Sequence, residues 1–416
     1  MKKNASSIVT LFIVFVFMFG FVGCEKLKIS NLQANYHLRK ANGFYADESY
    51  LNAIDEYEAA LNLNPKLHKV YLYLGTSYSA MYRPAKTGER NQMYGEKAVE
   101  YLLKASEAFP DDEKITYALG DIYDKMGQFE ESEKYYLKIL EASPDKPESY
   151  YILADFYKKY GKTEEARTMY ERRIALDPTA PDGYLYYASF GSDMRQWDLS
   201  IKNHEKRILA LYDVDTLKLQ NEVDQFTKDI EQVEAIEKNI ETVRKHKSLD
   251  QAEKDRLIAE AQQRLSQFKP LEEMKTKLEE DQKQIDENLK NREEKFKNLD
   301  EEQKNKLADA FYTLGVVCWN KSYQTPANMM SAQERIETCD KGLEACNITL
   351  SMIPEHYDAY AFIGLLYRQK IIAEPLKNDE YMKKWEEAYN KSRELRERKL
   401  RRESLKKQLE QMGTEG

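Results

Sequence analysis

The chain has 416 residues, a third of them charged and only 16 glycines and 11 prolines, and its formal net charge is −8. Such a length allows two or three globular domains or one elongated array, and the scarcity of glycine and proline favours helix throughout. An acidic balance gives no support to general nucleic-acid binding.

The first 24 residues, MKKNASSIVTLFIVFVFMFGFVGC, have the parts of an export signal. Lys2 and Lys3 precede an apolar run from Ile8 to Val22, and a small residue stands before a cut site. That run falls short of the roughly 20 apolar residues a membrane span needs. Phe21-Val22-Gly23-Cys24 resembles the bacterial lipobox, which implies acylation of Cys24 and a mature lipoprotein beginning there. An uncleaved anchor and a secreted soluble form are the alternatives. By resemblance to enteric sorting, Glu25 rather than Asp after the cysteine implies the outer membrane, facing the periplasm. A linker over 24–33, about nine residues and at most about 30 Å long, would start the fold close to the lipid.

Residues 34–215 carry a repeated apolar pattern. Its clearest copy is Asp145 to Pro178, with Tyr150, Leu153, Ala154 and Tyr157 on one helical face and Ala166, Tyr170 and Ile174 on a second. Spacings of three and four mark helices, and Gly161 breaks the run once, so the unit reads as two antiparallel helices. A hairpin of this kind buries its apolar face only by stacking on others. The preceding copy has Leu119, Gly120, Tyr123, Gly127, Phe129, Tyr136 and Pro144, and an earlier one has Tyr71, Leu74, Gly75, Tyr78, Ala98, Ala105 and Pro110. The first copy keeps only its second half, from Tyr50 to Pro65, and a fifth starts at Tyr184 and lacks the closing proline. Two further copies lie at Phe311–Pro354 and from Tyr360 on. The pattern resembles the tetratricopeptide repeat family, whose 34-residue unit runs aromatic, Leu-Gly, Tyr, Ala, aromatic, Ala, Pro. The resemblance implies an all-α solenoid of two arrays, with first helices lining a concave face.

Carried over residue by residue, the inward positions include Leu72 and Thr76; Tyr117, Asp121 and Asp124; and Tyr151, Asp155 and Lys158. Tyrosine beside carboxylate suits a peptide partner, because the ring gives area at low entropic cost and Asp accepts hydrogen bonds. An ordinary solvated face is the plain alternative. Extra residues interrupt three repeats at one equivalent turn, Arg83–Gly95 among them, and project from one edge or are tolerated loop growth.

From 216 to 299 the pattern gives way to a Glu/Lys/Gln-rich segment with coiled-coil spacing at Leu219, Val223, Phe226, Ile230 and Val233. A returning stripe runs from Leu257 to Leu299. The spacing predicts one helix from near Gln196 to Lys245 and a second from Ala252 to Asn298 kinked at Pro270, with Ser248 opening the second. A protruding hairpin, an intermolecular coiled coil giving self-association, and a lone charged helix all fit. Asp300 with Gln303 predicts the capping box that reopens the repeats over 300–395. Inward residues of this second array are Tyr312, Val316 and Trp319, then Leu365 and Arg368. Residues 396–416 form a basic closing helix, either a solvated cap or a surface for anionic lipid or glycan.

Cys318 and Cys346 occupy positions that pack across a hairpin and are the best-placed pair for a disulfide, with buried thiols the alternative. Zinc-ligand spacing, phosphate-cradling glycine loops and nucleophile elbows are absent, so the sequence points to no catalytic residue, metal or cofactor. The reading is a non-catalytic lipid-anchored scaffold for protein or peptide partners. The resemblance extends to two lipoprotein classes, a subunit of the machine inserting outer-membrane barrels and the pilotin of pilus secretins. A spacer between membrane and cell wall is the remaining reading.

Overall fold

A computed structural model describes residues 29–413, all of whose regular elements are helical. The lipobox and Cys24 lie outside the described residues. Two compact units divide at Met169 and Tyr170.

The first unit holds α1 (Ile29–Ala46), α2 (Tyr50–Leu63), α3 (Lys69–Met81), α4 (Glu89–Ala108), α5 (Glu113–Lys125), α6 (Phe129–Ala142), α7 (Pro147–Lys159) and the start of α8 (Thr163–Leu176). The pairs α1–α2, α3–α4 and α5–α6 form antiparallel hairpins. Gly127 and Gly161 make the turns after α5 and α7 with φ of 72°, a left-handed backbone that side chains rarely adopt. Glycine also sets how closely the paired helices approach. A Cβ on Gly120 would stand 2.6 Å from the Tyr136 ring, so Leu-Gly is the notch that seats the partner helix's aromatic. The repeat's closing proline has a matching role. Tyr150 Oη donates to the Pro144 carbonyl at 3.0 Å, and in the second unit Tyr184 Oη donates to Pro178 at 2.7 Å, so in these two repeats a phenol ties the new hairpin to the old turn.

Two features of this unit correct the sequence expectation. The first repeat is complete. Its helix α1 begins at Ile29, inside the span read as linker, and buries Ala34 and Ala41 while Asn42 accepts from Tyr57 Oη at 2.8 Å. Small residues in place of Leu-Gly and Tyr hid it. The insertion after α3 is largely helix and not a projecting loop, because α4 starts at Glu89. Asn91 closes the turn by donating to the carbonyls of Lys86 (2.8 Å) and Arg83 (3.0 Å) and accepting from Arg83 N.

The second unit continues with α9 (Pro181–Asp193), α10 (Trp197–Tyr212), α11 (Val214–Lys245), α12 (Gln251–Leu265), α13 (Leu271–Lys290), α14 (Arg292–Lys297), α15 (Glu301–Gln324), α16 (Ala332–Met352), α17 (Tyr357–Ala373) and α18 (Asn378–Gly413). Helix α10 packs against both α9 and α15, so the repeats resume across the insertion. Within the chain, α12 and α13 fold back on α11 and bury Val223, Val233, Ile236, Ile240, Met274 and Ile285.

The expected unbroken helix from Gln196 to Lys245 is interrupted at Asp213. This buried residue leaves helical geometry (φ −150°) and caps α11, its carboxylate accepting from Thr216 N at 3.3 Å and Thr216 Oγ1 at 2.7 Å. Lys295, from the far end of the insertion, pairs with the same carboxylate, and Asn288 donates to Thr216 Oγ1 at 2.9 Å. The returning strand is three helices and not one kinked helix. Pro270 stands before α13, where its missing N–H costs nothing. Asp250, not Ser248, opens α12 by accepting from Glu253 N at 2.8 Å. The capping box at Asp300 and Gln303 is present. Residues past 395 are continuous with the last repeat's second helix, α18, which seats Trp385 against Gly364. Cys318, Cys339 and Cys346 are free and buried.

Candidate functional site

In the first unit, α3 and α5 present their inward residues to a hollow of about 580 Å³. Leu72 and Thr76 enter from α3, Tyr117, Asp121 and Lys125 from α5, and Tyr45 closes one side. Spacings of four along each helix put these groups on one face. Tyr45 Oη donates to Thr76 Oγ1 at 3.3 Å and its ring meets Tyr73 edge-on at 5.4 Å. Lys125 Nζ lies 2.7 Å from Asp121 and donates to Ser79 Oγ at 3.2 Å. Tyr117 remains 46 % exposed, and partial burial, then the carboxylates of Asp121 and Asp124, push its phenol above the usual range. It is a neutral donor at any ordinary pH. Apolar walls with one fixed carboxylate can grip a side chain and accept a hydrogen bond.

The other inward residues of this unit stand outside that hollow. Asp124 is turned toward the next repeat, 2.8 Å from Lys159, and its backbone carbonyl accepts from Tyr160 Oη. Tyr151 is half-buried, while Asp155 and Lys158 pair with each other at 3.3 Å.

In the second unit Tyr312 and Trp319 come together, though around a residue the sequence reading passed over. Phe362 meets Tyr312 at 5.7 Å and Trp319 at 5.4 Å, both edge-on, and Trp319 stacks on exposed Tyr323 at 5.0 Å. The cluster packs on the core that holds Cys339 and Cys346, so it is a filled wall more than an open trough. Phe362 sits one position past the inward register of its helix, so a list of inward positions omits it. Trp319 Nε1 is buried with no acceptor. Arg368 lies apart from the cluster, its guanidinium 5.6 Å from the Trp385 ring.

A second hollow, about 530 Å³, opens in this unit where the insertion meets α10, α15 and α16. Ile201, Leu209, Phe311 and Leu314 line it beneath ion pairs of Asp224 with Lys202 (2.8 Å) and Lys206. Burial lowers the Lys206 pKa, with Asp224 opposing; burial acts to raise Asp224, but hydrogen bonds from both lysines outweigh it and hold the carboxyl below its usual range. No local signal marks this place, since its walls come from segments distant in sequence. Among the described residues there is no group of three or more metal-donor side chains, and no helix is long and apolar enough to cross a membrane.

Residues 114–146 and 135–168 match family models of the tetratricopeptide repeat. Residues 114–168 are tetratricopeptide repeats. These repeats contain α5, α6 and α7, hence the Tyr117 and Asp121 side of the hollow. No curated protein matches the chain. Similar solved structures include MamA (18 % identity, 41 % of this chain and 93 % of that one, TM-score 0.33). YrrB, described as a repeat protein with an unusual peptide-binding site, has 18 % identity over 44 % of this chain and 89 % of its own, with a TM-score of 0.31. A tetratricopeptide repeat protein from Parabacteroides merdae has 12 % identity over 80 % and 99 %, with a TM-score of 0.35.

Proposed function

We propose that the chain is a scaffold that binds a protein partner through the hollow of its first unit while Cys24, acylated, holds it to the periplasmic face of the outer membrane. The observation that carries the partner reading is the convergence of Leu72, Tyr117 and Asp121 on one open hollow in a tetratricopeptide fold. Peptide segments laid there would bury apolar side chains against Leu72 and Tyr117 and donate to Asp121. The anchor reading is supported by the charge–apolar–Gly-Cys order of residues 2–24.

A photo-crosslinking residue at Tyr117 should trap a discrete partner in cells, and Leu72→Arg should abolish the trap while the chain stays folded. Crosslinks unchanged by Leu72→Arg would overturn the partner reading. Labelled fatty acid should enter the parent and not Cys24→Ala; equal labelling or none removes the anchor. The long hairpin α11–α13 favours the spacer as second reading, and capture confined to residues 230–270 would select it.

A further inference from the structure

The last helix, α18, carries eight cations against three glutamates between Arg393 and Lys407, in a chain of net charge −8. Its two sides use those charges differently. On the side facing the repeats, Leu395 is buried, and Arg398 and Arg402 each reach Glu355 at 3.1 Å. Those cations are spent on the fold. On the other side, Tyr389, Arg393, Arg396, Leu400 and Lys407 fall at spacings of four, seven, eleven and eighteen, which places them in one stripe. Tyr389 is 49 % and Leu400 56 % exposed. Arg396 and Lys407 have no carboxylate partner among the described residues, and Arg393 only leans on the Tyr389 ring at 6.0 Å. Glu403 is the one carboxylate within the stripe.

We infer that this stripe docks on an anionic lipid bilayer. Charge complementarity requires a negative surface, and the stripe's composition selects a lipid one. A straight row about 27 Å long, at 1.5 Å per residue, meets a plane and not a wrapped polymer. Exposed Tyr and Leu interleaved with cations match an interface whose headgroups are charged and whose depth is apolar, while arginine and lysine stems reach back to the headgroups. A soluble polyanion would use the cations and leave Leu400 in water. The inference stands without the Cys24 anchor, since the stripe is on a different helix and is read locally.

Amide exchange over residues 389–407 of the full chain tests it, with phosphatidylcholine vesicles against vesicles containing about one third phosphatidylglycerol. Exchange should slow only on the anionic vesicles. At roughly 1 kcal/mol per cation near such a surface, Arg393→Gln with Arg396→Gln and Lys407→Gln should weaken this association about a hundredfold. Salt at about 0.5 M should also release the helix, because screening then acts within a few ångströms. Glutamine keeps helix propensity near that of the residues replaced, so the variant folds. Leu400→Ser should weaken vesicle binding while leaving its salt dependence. Equal exchange on both vesicles overturns the inference. So does slowing by heparin, a soluble polyanion, without slowing on anionic vesicles, which would give the stripe to a glycan.

Discussion

Replacing Asp213 by Ala should loosen the base of the inserted hairpin. The Asp213 carboxylate joins α11's first turn to the returning end of the insertion through both a cap and a charge: it accepts from Thr216 and pairs with Lys295. Loss of an N-cap costs about 1 kcal/mol. Breaking a buried charge pair costs about 3–5 kcal/mol, but the Lys295 side chain is 41 % exposed and can recover water, so only about 1–2 kcal/mol of that applies. The expected total is about 2–3 kcal/mol. Asp213→Asn should lose less, because the amide oxygen still caps. The assay is native-state amide exchange, which separates local opening from global unfolding of a two-unit chain. Residues 214–220 and 286–297 should exchange roughly 30- to 150-fold faster in the Ala variant, the factor corresponding to that loss at 1.4 kcal/mol per decade. Rates within threefold of the parent, or acceleration spread evenly over α15–α18, would refute the reasoning.

Gly120→Ala should destabilise by about 1–3 kcal/mol in urea unfolding, since the new methyl meets the Tyr136 ring at 2.6 Å, whereas Gly43→Ala should stabilise by up to about 1 kcal/mol because nothing lies within 4 Å of its Cβ. Burial, reinforced by Arg207, lowers the His204 pKa to about 4 from 6.5, so the folded chain keeps this imidazole neutral. Its contribution is intact above about pH 6.5 and falls as pH drops toward 4, because only the unfolded chain then takes up the proton; near pH 5 the loss is about 2 kcal/mol, and His204→Gln should flatten that part of a stability–pH curve. Burial raises the thiol pKa of Cys318 and Cys339, and of Cys346 to about 12, so all three should ignore a thiol reagent until denaturant is added.

How much of this was legible follows from what a one-dimensional pattern can encode. The hairpins were readable because each must present the same notch and knob: Gly120 accepts Tyr136 and Gly315 accepts Cys346, so stacking forces a repeat into the sequence. The first helix was not readable, since Ala34 and Ala41 meet the same packing need without the usual letters. The break at Asp213 was hidden for a different reason. Apolar periodicity continues through it, and what stops the helix is a carboxylate whose partner, Lys295, is 82 residues away.

The same distinction governs the candidate sites. Tyr117 and Asp121 share a helix and a register with Leu72's repeat, so the hollow they line could be placed from spacing alone. Phe362 fills the space between Tyr312 and Trp319 from a helix one register step away, and that step turns an expected trough into a packed wall. Inward position therefore gives access only where the neighbouring repeat leaves room. In the first unit the facing residues are Thr76 and Ser79, small enough to keep the hollow open; in the second a phenylalanine closes it. The size of the residue opposite, more than the chemistry of the inward residue itself, decides which face of these repeats can take a partner.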